Sequence, residues 1–510
     1  MSPSWRKNPL IYEINAWTWL AALTQKYGQP VTLGSVPDAE FDGLGGWGFD
    51  GVWLMGVWER SPAGRNIALN HPGLQEEFRR ALPDFKPEDV VGSPYAVRNY
   101  TVDAHLGGPA GLAAFRQQLA TRGLRLVLDF VPNHVAIDHP WLVSHPECFI
   151  QGTKDESDTR PDQFFDKVDS GRTRVYTYGR DPHFPPWTDT AQVNAFSPAL
   201  RARAVDTLHS IASQCDAVRC DMAMLVTNRV FAQTWGERAR QIPPSEYWEV
   251  VISAVKAEYP DFKFLAEVYW DMERELLQQG FDYTYDKRLY DRLQNDPARA
   301  VVSHLEADPA YQEHMIRFIE NHDERRATVA LGAGRDLAAA VLIATLSGAA
   351  MLHEGQLVGH QIKLPIQLGR RPPEPDNAQV ETFYRMLLGE VRHPAYHDGE
   401  WHLRECNPAW DLNASNRSLI AYTWRLGDER RLVVVNYSPT SAQGRVPLPD
   451  FDLAKQKWTL HDAMHRVDYA RDGDEMSDPG LYIDLLPWQA HIFQFAPLPP
   501  ATEQPPATRQ

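Results

Sequence analysis

Short β-rich apolar runs alternate with longer amphipathic stretches over roughly the first three quarters of the chain, the pattern of βα units building a parallel sheet. The strand candidates are 10–14, 51–54, 124–131, 217–220, 262–268, 281–285, 317–320 and 349–352. Eight such strands, each followed by room for a helix, predict an α/β chain closed into a (β/α)8, or TIM, barrel rather than an open sheet. At 510 residues the chain is long enough for one large barrel with attachments.

Two stretches break the alternation. Over 133–197 the helical period gives way to Asp, Gly, Pro, Arg and aromatics, as in Tyr176-Thr-Tyr-Gly-Arg-Asp-Pro-His-Phe-Pro-Pro-Trp187, too long for a plain loop. It reads as a subdomain inserted after the third strand, at the C-terminal barrel face where active sites are built. After about residue 391 strands follow one another every few residues, as in Ser418-Leu-Ile-Ala-Tyr-Thr-Trp424 and Arg431-Leu-Val-Val-Val-Asn436, which predicts an antiparallel β-sandwich. The expected domains are a barrel over 1–132 and 198–391, an insertion over 133–197, a sandwich over 392–497 and a Pro-rich disordered tail over 498–510.

Composition narrows the partners. A net charge of −16 disfavours nucleic acid and anionic membrane surfaces, whereas a neutral substrate meets no such repulsion. No segment approaches the ~20 apolar residues of a membrane span, and the first residues lack the apolar core of a secretory signal, so the expected location is the cytoplasm. Four cysteines without metal-ligand spacing read as buried free thiols. There are 16 Trp and 19 Tyr, flat rings that stack on the apolar faces of sugars or fill a large core. No phosphate-binding loop is found, which disfavours nucleotide-dependent chemistry.

Four stretches stand at the expected C-terminal ends of barrel strands and carry charge where a core strand should be apolar: Asp129-Phe-Val-Pro-Asn-His134, Val218-Arg-Cys-Asp221, Leu265-Ala-Glu-Val268 and Ile319-Glu-Asn-His-Asp323. A single Asp or Glu there is ordinarily a helix cap or an ion-pair partner. Four in order, at consistent strand ends, point instead to a site in the barrel mouth. Arg219 lies two residues before Asp221 on one strand, and therefore on the same face.

These stretches resemble the conserved regions of the α-amylase family of retaining glycosidases and glucanotransferases, and the order of barrel, third-loop insertion and terminal β-domain is similar too. The resemblance implies Asp221 as nucleophile, Glu267 as general acid/base and Asp323 as the third carboxylate, which holds sugar hydroxyls. It implies that Arg219 keeps Asp221 ionised and oriented, and that apolar neighbours around Glu267 raise its pKa. His322 and His134 match the histidines that hydrogen-bond the sugar, a donor task that neutral imidazoles suit. Tyr95, in Gly92-Ser-Pro-Tyr-Ala, resembles the aromatic platform under the reacting sugar, with Tyr100 as a competing choice.

The chain also departs from the family. Of the ligands of the family's structural calcium only Asn133 is in place, and Gln192 stands where an Asp would align, although a hard cation prefers charged oxygens. No cofactor is therefore expected to be required, and a structural calcium stays open only as a doubtful alternative. After the nucleophile comes Met222-Ala-Met-Leu225 in place of a Lys-His pair, so Met224 and Leu225 leave the acceptor side to be built differently. His353-Glu-Gly-Gln356 ends the eighth strand where the family carries a Tyr-Gly or Phe-Gly turn. The expected function is double-displacement hydrolysis of α-1,4-glucans or maltooligosaccharides through a covalent glycosyl-enzyme. The alternatives are a transglycosylase with the same residues, or a non-catalytic carbohydrate-binding barrel. Nothing in the sequence indicates the oligomeric state.

Overall fold

The computed structural model describes residues 5–498. The expected disordered tail, apart from Leu498, lies outside the described residues, as do residues 1–4. Eight parallel strands close into a barrel: β1 (Leu10–Asn15), β2 (Gly51–Met55), β3 (Arg125–Phe130), β4 (Ala217–Cys220), β5 (Lys263–Ala266), β6 (Tyr283–Tyr285), β7 (Met315–Arg317) and β8 (Ala349–His353). Closure is direct, because β1 pairs with β2 through Ile11↔Gly51 and with β8 through Leu10↔Ala350. Continuous apolar strands such as Gly-Val-Trp-Leu-Met (β2) are buried along their whole length, as a sheet covered on both faces requires. At Gly48, φ +84° ends helix Asp38–Trp47 and turns the chain into β2, a left-handed conformation that suits glycine.

Two strands differ most from expectation. β5 ends at Ala266 rather than continuing through 268, and β7 runs over Met315–Arg317 rather than 317–320; Glu320 lies outside the ladder, its carboxylate accepting from Arg326 Nη1 and the Ala327 amide, each at 2.7 Å.

The insertion after β3 folds around its own small core of Val135, Leu142, Phe149, Tyr176, Ala191 and Val193. Its base is closed by an antiparallel pair, His134–Ala136 with Thr190–Gln192, and its arm is the hairpin Phe164–Asp169/Arg172–Thr177. A second excursion, between β2 and β3, carries helices Pro62–Asn70 and Pro72–Ala81, each opened by a proline at a position that needs no amide hydrogen. The loop after β8 is tied to this excursion: Arg370 donates to both oxygens of Asp89 at 2.6 and 2.8 Å.

The described residues divide into two compact units, the second comprising Leu289–Gln312, Leu331–Ser347 and the described residues from Ala378 onward. That unit opens at 378 rather than 392 and takes in helices from the barrel's own sequence. Large polar rings tie those helices in: Trp424 Nε1 donates to Thr345 O at 2.7 Å, and Tyr437 OH to Leu293 O at 2.5 Å. A six-stranded and a three-stranded antiparallel sheet enclose its core, with Leu432, Val434 and Phe493 from the larger sheet meeting Val446, Ile483 and Leu485 from the smaller. This is the expected sandwich. No helix among the described residues is long and apolar enough to cross a membrane.

The end of β3 depends on Tyr100. Its buried hydroxyl accepts from the Val131 amide at 2.9 Å and donates to the Val131 carbonyl at 3.3 Å. Tyr100→Phe leaves both backbone groups unmatched and is expected to cost about 1–3 kcal/mol of stability, read as a lower denaturation midpoint with an unchanged slope.

Candidate active site

The strand register brings the chemistry together. Arg219 on β4 is opposite Asp129 on β3, and Cys220 is opposite Ala266 on β5, so the next residues of those two strands, Asp221 and Glu267, emerge side by side. Both remain tied to the barrel, the Asp221 amide by Phe130 O at 2.9 Å and the Glu267 amide by Cys220 O at 3.0 Å. Arg219, only 1% exposed, spans the pair: Nη1 donates to Asp221 Oδ1 at 2.8 Å and Nη2 to Glu267 Oε2 at 2.6 Å. Its guanidinium carbon lies 5.1 Å from the ring centres of Trp53 and Tyr95 and 5.9 Å from that of Tyr285, a cage that stabilises a dehydrated cation.

Glu267 differs from its expected apolar setting. Besides Arg219 it accepts from the Met222 amide at 2.7 Å and from Tyr269 OH at 2.7 Å, because the chain turns back beside it immediately after Asp221. Asp221 also departs from expectation. Burial, and then the neighbouring Glu267, raise its carboxyl well above the ordinary range although Arg219 pulls the other way. Arg219 offsets the burial only in part, because one guanidinium serves Asp221 and Glu267, with Asp129 at 3.6 Å as a third claimant. Burial pushes Asp129 itself up to about 6.

The third carboxylate arrives from the loop after β7. Asn321 Oδ1 accepts the amides of Asp323 and Glu324 at 2.9 Å each, a local turn that leaves Asp323 half exposed in the cleft. His322 links it to the barrel, with Nδ1 2.5 Å from Glu13 Oε1 on β1, and Nε2 2.9 Å from Asp323 Oδ2 and 2.6 Å from Tyr95 OH. Burial works against charge on this ring, but the two carboxylates override it and push His322 up to about 10. His322 is therefore an imidazolium near neutrality and not the neutral donor expected. The same contact holds Asp323 below the ordinary carboxylate range against desolvation. His134, by contrast, is pushed down to about 3 by burial and stays neutral, with its ring 5.0 Å from that of Trp187.

A cavity of about 370 Å³ is lined by Tyr95, His134, Asp221, Glu267 and Asp323, so five of the seven candidates share one surface, and Arg219 and His322 stand directly behind it. Tyr95 is in this wall and Tyr100 is not. Sequence reasoning missed Glu13, Tyr269 and Trp187. Glu13, a lone charge inside an apolar strand, was the legible signal; Tyr269, two residues beyond Glu267, was visible only as part of its supposed apolar surroundings. Met224 and Leu225 are buried in the turn Ala223–Val226, so Met222 and Tyr269 line the cavity on that side.

No protein-family model matches the chain. It is similar to the α-amylase MalA of Haloarcula japonica, with 25% identity over 77% of this chain and 50% of that one. It is likewise similar to an α-1,4-glucan:maltose-1-phosphate maltosyltransferase of Rhodospirillum rubrum, with 25% identity over 86% of this chain and 60% of the relative. The chain thus resembles enzymes named α-amylases and α-glucan maltosyltransferases in sequence, and α-amylases in fold. It spans only about half to three fifths of the length of these two relatives. In fold it resembles the maltogenic α-amylase AmyB of Thermotoga neapolitana, with a TM-score of 0.66 and 19% identity over 96% of this chain and 99% of that structure.

The residues present do not fit the calcium ion of many members of the α-amylase family. Gln192 Nε2 donates to Asn133 O at 2.8 Å, Asn133 Oδ1 at 2.9 Å and Val193 O at 3.1 Å. Amide protons thus point at the oxygens a cation would use, and Gln192 brings no charge to replace the aligned carboxylate.

Because the folded chain holds a proton on Asp221 more tightly than the unfolded chain does, ionisation near neutrality costs stability, and that cost grows as pH rises out of the ordinary carboxylate range. Asp221→Asn removes it. The variant is expected to be more stable than the parent, with the gap widening by up to about 1.4 kcal/mol per pH unit between about pH 5 and about pH 8. Denaturant titrations of both proteins across that range measure it, and a constant gap would contradict the raised Asp221.

Proposed function

We propose that this chain is a retaining glycosidase that hydrolyses α-1,4-glucans or maltooligosaccharides. The observation that carries the reading is the single guanidinium of Arg219 spanning Asp221 and Glu267. Two carboxylates joined through one fork favour the separation of about 5 Å used in retention over the roughly 6.5–9.5 Å of inverting pairs, which must admit a water between them.

The step requires the proton that burial favours on Asp221 to sit on Glu267 instead: ionised Asp221 then attacks the anomeric carbon while Glu267 gives that proton to the departing glycosidic oxygen, the C–O bond to the leaving sugar breaks and a glycosyl ester to Asp221 forms. Glu267, now ionised, takes a proton from water, whose oxygen attacks the same carbon and frees Asp221 with the α configuration restored. Arg219 holds the nucleophile in line, and the Met222 amide and Tyr269 OH fix the acid/base. Asp323, with His322 behind it, is placed to accept sugar hydroxyls as the ring distorts. Tyr95 forms the platform and His134 a neutral donor on the insertion side.

The cavity favours a neutral glucan over a phosphorylated donor. Four carboxyl groups, Asp189, Asp221, Glu267 and Asp323, line it, and among the described residues no Lys or Arg does, so a sugar phosphate meets repulsion. Transglycosylation is the second reading, supported by the maltosyltransferase relatives and by the Met222 and Tyr269 side of the cavity, which offers a sugar acceptor an apolar surface. A cytoplasmic setting agrees with the four cysteines, all free thiols. Neither a cofactor nor calcium has a part in these steps.

Maltoheptaose turnover followed by chromatography and anomeric NMR tests the proposal. Shorter products released first as the α-anomer are expected, with Asp221→Asn and Glu267→Gln each slowed by at least about 10³-fold; β-anomeric products would refute retention, and longer chains would shift the reading to transfer. Calcium returned to chelator-treated protein is expected to change neither this rate nor the melting temperature, and a rise in either would show that Asn133 and Gln192 admit the ion.

A further inference from the structure

A second cluster of chelating side chains lies in the C-terminal unit, outside everything used above. Strand Lys457–Asp462 runs antiparallel to Ala490–Pro497, with Asp462 opposite Phe493. Asp462 is fully buried. Its Oδ1 accepts the backbone amides of Met464 and Ile492 at 3.1 and 3.5 Å, and its Oδ2 faces Nδ1 of His465 at 2.6 Å and Nδ1 of His491 at 2.5 Å. A left-handed residue, Arg466 (φ +57°), whose amide donates to Asp462 O at 2.7 Å, bends the chain so that His465 returns over the carboxylate. The three potential ligand atoms lie within 4.8 Å of one another.

We propose that Asp462, His465 and His491 bind one divalent transition-metal ion, Zn²⁺ foremost, which fastens the turn after Asp462 to the neighbouring strand. Two imidazole nitrogens and one carboxylate oxygen are a borderline donor set that suits zinc and disfavours calcium or magnesium. Around zinc, with bonds of about 2.0–2.1 Å, tetrahedral ligand atoms stand roughly 3.3 Å apart. Replacing the two imidazole protons by one cation therefore asks the present contacts of 2.5 and 2.6 Å to open by less than about 1 Å. Side-chain rotation supplies this, since His465 is 38% exposed at its side chain.

Outer contacts already orient the ligands. Two backbone amides hold the far carboxylate oxygen, and the His491 ring stacks on Phe493 at 4.8 Å and meets the His465 ring edge-on at 5.4 Å, the kind of support that tunes metal affinity. A depression of about 400 Å³ beside the cluster, lined by both histidines, Tyr469 and Gln489, leaves the fourth position to water.

Chelator-treated full-length protein titrated with ZnCl2 in a calorimeter tests this. One zinc per chain is expected, together with a higher melting temperature. His465→Ala should weaken binding by at least about 100-fold, while His461→Ala, which removes a neighbouring histidine whose Nδ1 pairs with Asp468, should leave it unchanged. Absence of stoichiometric binding, or affinity that survives His465→Ala, overturns the proposal. Should His465→Ala not fold, the Co²⁺-substituted parent decides: intense visible bands of a tetrahedral site support the assignment, and the weak spectrum of octahedral cobalt overturns it.

Discussion

Arg219 is the centre on which the candidate site is assembled. Its guanidinium is removed from water, which would be prohibitive for an isolated cation, and is stabilised by three aromatic rings and by the carboxylates of Asp221 and Glu267. The rings come from β2, β6 and the segment before Val97, and the carboxylates from the ends of β4 and β5. One side chain thus fixes five elements at the barrel mouth. Lysine could not replace it, because a point charge has no planar fork to hold two carboxylates at once.

The surrounding charge is deliberately unbalanced. Five buried or cleft carboxyl groups, Glu13, Asp129, Asp221, Glu267 and Asp323, face two cations, Arg219 and His322. The excess is distributed unequally. Glu13 and Asp323 share the imidazolium and stay ionised, whereas Asp221 and Asp129 are raised by burial. A site arranged for folding alone would not gather so many like charges, so the arrangement has the character of stability surrendered for chemistry.

The barrel was legible because its signal is periodic: seven of the eight strands overlap their apolar runs, and β7 lies two residues earlier than expected, at Met315–Arg317, with Glu320 beyond it turned to Arg326. The strand-end carboxylates were legible for the complementary reason, as charges inside apolar runs. What stayed hidden was partnership. Glu267 is flanked in sequence by Phe264, Leu265, Ala266 and Val268, yet its carboxylate meets Arg219, Tyr269 and a backbone amide, since alternate residues of a strand face opposite sides. Likewise His322 is neighbour to Asn321 and Asp323 in sequence, but its charge is held by Asp323 together with Glu13, a partner 309 positions away. The C-terminal boundary slipped too, because helices that belong to the barrel's sequence find their hydrogen-bond partners in Trp424 and Tyr437.

The backbone immediately after Asp221 ties these points together. Met222 has φ +41°, a left-handed conformation that costs a side-chain-bearing residue on the order of 1–3 kcal/mol. Only by turning so does its amide reach Glu267 Oε2, and the next amide, that of Ala223, reach Glu267 O at 2.9 Å. The following turn is then driven inward, where Trp248 Nε1 caps Ala223 O at 2.8 Å and Met224 and Leu225 are buried. The absence of a Lys-His pair after Asp221 is therefore part of one solution: the segment presents backbone amides to Glu267 and only the Met222 side chain to the cavity.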